Sequence, residues 1–124
     1  MKKILIVEDD SNMRKLLADA FKKAKFEVAE AENGQVGLDV GKDFGPDFIL
    51  LDVMMPVMDG MGMLENLRKE PWGQDVLVTI LSNSDDIVKI SGALESGVRG
   101  YIIKSDMAVE DIVKRVEKEL GMAK

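Results

Sequence analysis

The chain contains no cysteine and no histidine, and it has only one tryptophan, one tyrosine and three prolines. Without cysteine there is no disulfide and no thiolate chemistry, which fits a cytoplasmic protein. Without histidine there is no imidazole base and no His–metal site. No phosphohistidine can form on this chain, so a phosphoryl group that comes from histidine must come from a partner. No apolar run approaches the length of a membrane span, so no membrane insertion is expected. The start, Met1-Lys2-Lys3-Ile4-Leu5-Ile6-Val7-Glu8, imitates a signal peptide for a few residues only. Its apolar segment is too short and ends in acids rather than at a small-residue cleavage site. A basic surface is also lacking. With 17 Lys and Arg against 23 Asp and Glu, the net charge of −6 argues against direct binding of nucleic acid.

What is present is ordinary globular material. The 124 residues, 46% apolar and 32% charged, predict one domain over 1–124 with a real hydrophobic core. Strand-like runs at residues 3–7, 27–31, 48–51, 76–81 and 100–103 alternate with helix-like segments. The first helix carries Met13, Leu16, Leu17, Ala20, Phe21 and Ala24 on one face, and the last carries Val109, Ile112, Val113, Val116 and Leu120. A shorter stripe, Ile87, Ile90, Ser91 and Leu94, starts near Asp85 or Asp86 and ends at a capping Gly97. Gly45-Pro46 and Pro71-Trp72-Gly73 punctuate the loops before the third and fourth strands. Strict strand–helix alternation predicts an α/β fold, a parallel sheet with helices on both faces. There is no internal repeat, low-complexity tract or coiled-coil heptad.

The chemistry lies at the strand ends. Glu8 and Asp9 close the run Ile4-Leu5-Ile6-Val7, and Asp52 closes Phe48-Ile49-Leu50-Leu51. Ligands of open α/β sheets bind outside the carboxyl ends of the strands. If the two strands are neighbours, three carboxylates meet in one crevice. Such a cluster must be protonated, hydrated or neutralised by a cation, and an all-oxygen site suits a hard divalent ion such as Mg²⁺. Ser82 and Lys104 close the fourth and fifth strands. A carboxylate nucleophile, a metal-holding acidic pair, a hydroxyl donor and an ammonium are the parts of an aspartyl-phosphate site.

At this point the sequence resembles response regulator receiver domains, over essentially its whole length. Ile4-Leu5-Ile6-Val7-Glu8-Asp9-Asp10 is similar to the family's first strand and acidic pair, and Asp52-Val53-Met54-Met55-Pro56-Val57-Met58-Asp59-Gly60 to its phosphoacceptor segment. The steps of 30 residues from Asp52 to Ser82 and of 22 from Ser82 to Lys104 match as well. The resemblance implies a flavodoxin-like, five-stranded parallel sheet of order 2-1-3-4-5, an order for which the chemotaxis receiver is the general example. It implies that Asp52 takes a phosphoryl group from a histidine kinase or a histidine phosphotransfer protein, with Mg²⁺ bound and Mn²⁺ as the alternative ion. Asp9, Asp52 and the backbone carbonyl of Met54 would be ligands, with Glu8 acting through water. Lys104 would bind the phosphoryl group. Ser82 and Tyr101 would switch conformation, altering an output face of the fourth predicted helix, the fifth strand and the last helix that includes Lys89, Ile90 and Ile103. A downstream protein would read that face, and the chain would be a monomer or a phosphorylation-dependent dimer. Such a chain is a signalling domain that assists its own phosphorylation and dephosphorylation, not an enzyme acting on other substrates.

Three positions depart from the family pattern. Lys104 is followed by Ser105, where the family usually has proline after a cis peptide. A non-proline cis bond costs about 2.5–4 kcal/mol, so either the loop is strained or it runs differently. Asn83 stands where a smaller residue is usual and bears on access of the phosphodonor. Met54 and Ser84, two residues beyond Asp52 and Ser82, occupy positions that orient attacking water in the family; a thioether cannot do so, and slow self-dephosphorylation is expected. Asp10 is expected to face outward at the first helix, and Asp59-Gly60 to turn the chain into the third. The methionines Met54, Met55, Met58, Met61 and Met63 are read as packing, and Lys22, Lys23 and Lys25 as a solvated helix end.

Other functions fit less well. A flavodoxin-like FMN site needs a glycine- and hydroxyl-rich loop after the first strand, where this chain is acidic. An aspartate-nucleophile phosphatase needs Asp-x-Asp closing that strand, and Glu8 holds the first position. The serious alternative is a degenerate receiver-fold scaffold that binds partners without phosphorylation.

Overall fold

In the computed structural model, residues 1–53, 55, 57–82, 100–104 and 107–122 are described. Five parallel strands form one sheet in the order β2-β1-β3-β4-β5: β1 is Lys3–Val7, β2 Glu27–Ala31, β3 Phe48–Asp52, β4 Leu77–Ser82 and β5 Gly100–Ile103. The described α-helices are α1 (Ser11–Lys23), α2 (Gly34–Phe44), α3 (Gly60–Lys69) and α4 (Val109–Glu119), the C-terminal helix; a short 3₁₀ turn spans Pro71–Gly73. This is the predicted fold and strand order. The predicted helix around Ile87, Ile90, Ser91, Leu94 and Gly97 lies outside the described residues.

Alternation along each strand divides the core between two faces. Ile4, Ile6, Phe48, Leu50 and Leu81 pack with Leu17 and Phe21 of α1 and with Ile112 and Val116 of α4. Leu5, Val7, Ile49, Leu51, Val78 and Ile80 pack with Met63, Leu64 and Leu67 of α3 on the other face. Buried on both sides, β1 and β3 read as continuous apolar runs, as inner parallel strands should.

Two details differ from the sequence reading. Strands β3 and β4 extend one residue further, taking in Asp52 and Ser82, and β4 begins at Leu77 rather than Val76. Asp52 pairs in register with Leu81 and Ser82 with Ile103, so the ladders carry both polar residues inside the sheet. Leu16 does not join the buried face of α1. That face is centred on Leu17, Ala18 and Phe21, while Leu16 is 58% exposed and lines an open groove between α1 and α4.

Side chains set the helix starts. Asp10 caps α1, accepting from the amides of Asn12 (2.9 Å) and Met13 (3.3 Å). Asn33 caps α2 through the Val36 amide, and Asp59 caps α3 through the Gly62 amide. Asp10 and Asp59 thus do what was expected of them. Met63 is buried, and Met55, Met58 and Met61 pack against the same core.

Candidate functional site

The register of the central strands assembles the site. Val7 of β1 lies opposite Leu51 of β3, so the next residues, Glu8 and Asp52, emerge side by side. Asp9 follows, and carboxylate oxygens of Glu8, Asp9 and Asp52 lie within 4.8 Å of one another. Glu8 is fully buried, Asp52 nearly so, and Asp9 exposed. The Lys104 ammonium, just past β5, reaches into the cluster, 2.7 Å from Glu8 Oε1 and 3.2 Å from Asp52 Oδ1. Ser82 at the end of β4 is fully buried, and its Oγ has no hydrogen-bond partner among the described residues.

The electrostatics follow from this crowding. Burial, with the neighbouring Glu8 carboxylate next in weight, pushes Asp52 from the ordinary 3.8 up to about 8, although Lys104 opposes the shift. Burial alone would lower the Lys104 pKa, but Glu8 and Asp52 outweigh it and the ammonium is held above its ordinary range. Three carboxylates with one ammonium leave excess negative charge. The donor set is all oxygen and opens to solvent at Asp9, which fits a hard divalent cation. Glu8, Asp9 and Asp52 are the residues that could hold one.

The backbone is shaped for this. Gly60 donates its amide to the Val53 carbonyl at 2.9 Å, and a Cβ there would collide with the carbonyl oxygen of Asp52 itself. The Asp-Gly pair therefore does two jobs: Asp59 starts α3, and Gly60 lets that start close against the end of β3. Val57, between them and β3, has φ +67° and is 83% exposed, a left-handed conformation that β-branched residues rarely adopt.

The sequence reading therefore placed Glu8, Asp9, Asp52, Ser82 and Lys104 at the same end of the sheet, where the structure has them. Tyr101 is exposed on β5, and Ile103 is half-buried beside Ser82 in register. Met54, Asn83, Ser84, Lys89, Ile90 and Ser105 lie outside the described residues, and with them the question of the peptide after Lys104. Arg14 went unnoticed in the sequence. Its Nη1 donates to the Glu8 carbonyl at 2.7 Å, and its Nε lies 3.4 Å from Glu30. The only trace of it in sequence is an arginine one turn into a helix that follows an acidic pair.

Known proteins give the same picture. The response regulator receiver domain family matches residues 4–117. The probable transcriptional regulator ycf27 of Porphyridium aerugineum is 32% identical over 122 residues, covering 94% of this chain and 50% of that protein. The regulatory protein AtoC of Escherichia coli is 37% identical over 103 residues, covering 82% of this chain and 22% of that protein. The chain thus spans about half the length, or less, of these curated relatives. Among solved structures, a putative response regulator from Chloroflexus aurantiacus superposes with a TM-score of 0.87 at 27% identity, covering 97% of this chain and 98% of that one. The Vibrio cholerae chemotaxis protein CheY4, at 24% identity and a TM-score of 0.87 over 95% of this chain and 98% of its own, has the same fold. The family match runs from β1 into the C-terminal helix and agrees with the strand order: this chain belongs to the response regulator receiver domains of two-component signalling.

Proposed function

We propose that Asp52 is a phosphoacceptor and that Mg²⁺ is held by Asp9 and Asp52, with Glu8 beside them. The observation that carries this reading is the placement of Asp52. It is 4% exposed at the end of a central strand, flanked by two further carboxylates and 3.2 Å from a lysine ammonium. Glu8 shares the carboxylate neighbours and the lysine but is sealed from solvent, whereas Asp52 keeps some exposure. A phosphohistidine donor would lie on a partner, a histidine kinase or phosphotransfer protein, since this chain has no histidine. An Asp52 carboxylate oxygen attacks phosphorus, the P–N bond to the donor imidazole breaks, and that nitrogen leaves with the electron pair and takes a proton from solvent. The bound cation would neutralise charge on the phosphoryl oxygens.

The chain's own residues do the rest. Lys104 shifts from its pairing with Glu8 and Asp52 toward the new phosphoryl oxygens. The Ser82 hydroxyl, without a partner among the described residues, supplies a donor to them, and its inward movement leaves room for Tyr101. Phosphorylation takes Asp52 from one negative charge to about two and adds three acceptor oxygens, enough to bias a pre-existing two-state equilibrium. The surface around Ile103 and the C-terminal helix then changes for a downstream protein. Those steps make the chain a signalling domain rather than an enzyme with an external substrate.

Intact mass after incubation with phosphoramidate tests this. The expected result is a gain of one phosphoryl group, about 80 Da, that requires Mg²⁺ and is absent from Asp52→Asn. Mg²⁺ binding without any adduct, from small donors or from a phosphorylated kinase, would instead make the chain a scaffold.

A further inference from the structure

Asp9 is exposed, and among the described residues its carboxyl meets only the neighbouring acids of the cluster, so no apolar packing fixes where it stands. Its position depends on the backbone on either side. On the far side, Asp10 is tied into the α1 cap, and its amide donates to Glu8 Oε2 at 3.2 Å. On the near side is the Glu8–Asp9 peptide. The Glu8 amide is held by the Ala31 carbonyl at 3.0 Å, and the Glu8 carbonyl receives Arg14 Nη1 at 2.7 Å. Arg14 is in turn steadied by Glu30 on β2, at 3.4 Å, and its side chain is only 20% exposed.

We infer that Arg14 is a positioning residue of the acidic site: it fixes the peptide plane joining Glu8 to Asp9 and so presets both acids for a divalent cation. The inference rests on the metal-site reading given above. It needs an arginine. A guanidinium can reach a carbonyl with one nitrogen and a carboxylate with another, whereas an ammonium is a point charge without that fork. It also opposes plain electrostatics. A fixed positive charge near the site repels a cation, so charge alone predicts tighter metal binding when Arg14 is removed. Positioning predicts the opposite sign.

The experiment is titration of the metal-free protein with Mg²⁺ by calorimetry, for the parent, Arg14→Lys and Arg14→Ala, with amide hydrogen exchange of Asp9 and Asp10 read on the same samples. Loss of an outer partner of a metal ligand typically weakens binding at least tenfold, and about that loss is expected for both variants. Exchange at Asp9 and Asp10 should accelerate in both. Unchanged affinity in Arg14→Lys, or tighter binding in Arg14→Ala, would overturn the inference. If Arg14→Ala does not fold, Arg14→Lys decides alone, because it keeps the charge and loses only the fork. If the parent itself takes up no Mg²⁺, the metal reading falls. Amide exchange then decides positioning: acceleration in Arg14→Lys upholds it, and no acceleration overturns it.

Discussion

At Asp52, burial and a neighbouring carboxylate act in the same direction, and the consequence is measurable. Its pKa in the folded, metal-free protein is raised from 3.8 to about 8. Between those values the folded chain holds a proton that the unfolded chain has released, so this residue's contribution to stability falls as pH rises through the window. Below about pH 4 both states are protonated and the effect vanishes; above about pH 8 the penalty is complete. Asp52→Asn cannot ionise. Each pKa unit is worth about 1.4 kcal/mol, or roughly 4 °C in a domain of this size. Without metal, the melting advantage of Asp52→Asn over the parent should therefore be several degrees or more larger at pH 8.5 than at pH 4.5. An advantage no larger at pH 8.5 than at pH 4.5 would show that Asp52 ionises at no cost. Lys104 works against the same repulsion, pairing the fully buried Glu8 at 2.7 Å. Breaking a buried pair from one side costs about 3 kcal/mol, so Lys104→Met should lose about that much in metal-free urea unfolding, and added Mg²⁺ should restore part of it.

Helix α2, expected from the strand–helix alternation, shows why an element's closest contacts hide in a sequence. Its fully buried positions are Gly34, Gly37 and Gly41, which carry no hydrophobic signal, while the apolar Val36, Leu38 and Val40 beside them are only partly buried. The contact is nonetheless tight: a Cβ at Gly41 would stand 2.6 Å from Trp72 Cη2. In an open helix, Gly→Ala gains about 0.5–1 kcal/mol. Here the methyl must displace the indole, and overpacking costs about 1–3 kcal/mol. Gly41→Ala should therefore destabilise, with altered Trp72 fluorescence; a stabilised variant would show that the contact gives way freely. Strands β1 and β3, by contrast, were legible because both faces are buried, and the strand-end acids were legible because topology brings strand ends together. The Leu16 assignment failed because periodicity locates a face but not its centre. The link from fully buried Thr79 on β4 to Glu119 in the last turn of α4, at 2.8 Å, was invisible for another reason. It joins residues 40 apart, and a lone threonine in an apolar strand announces no partner.

Across the whole molecule, the proposed cation binding would be linked to folding through the same crowded end of the sheet. A ligand that binds only the folded chain stabilises it by mass action, roughly 1.4 kcal/mol when free ligand is ten times its dissociation constant. The site must first lose the Asp52 proton, so binding should release protons near neutral pH and weaken in acid. The increase in melting temperature on adding Mg²⁺ should therefore be small at pH 5.5 and grow to roughly 4 °C or more by pH 8.5. In calorimetry, the apparent binding enthalpy at pH 7 should vary with the ionisation enthalpy of the buffer. Asp52→Asn should show little of either effect, since it has no proton to release. A Mg²⁺ response that is flat from pH 5.5 to 8.5 would separate cation binding from Asp52 and leave Asp9 and Glu8 to hold the ion without it. The two melting experiments constrain one another, because the penalty that Asp52→Asn removes in metal-free protein is the same one that bound Mg²⁺ should offset in the parent.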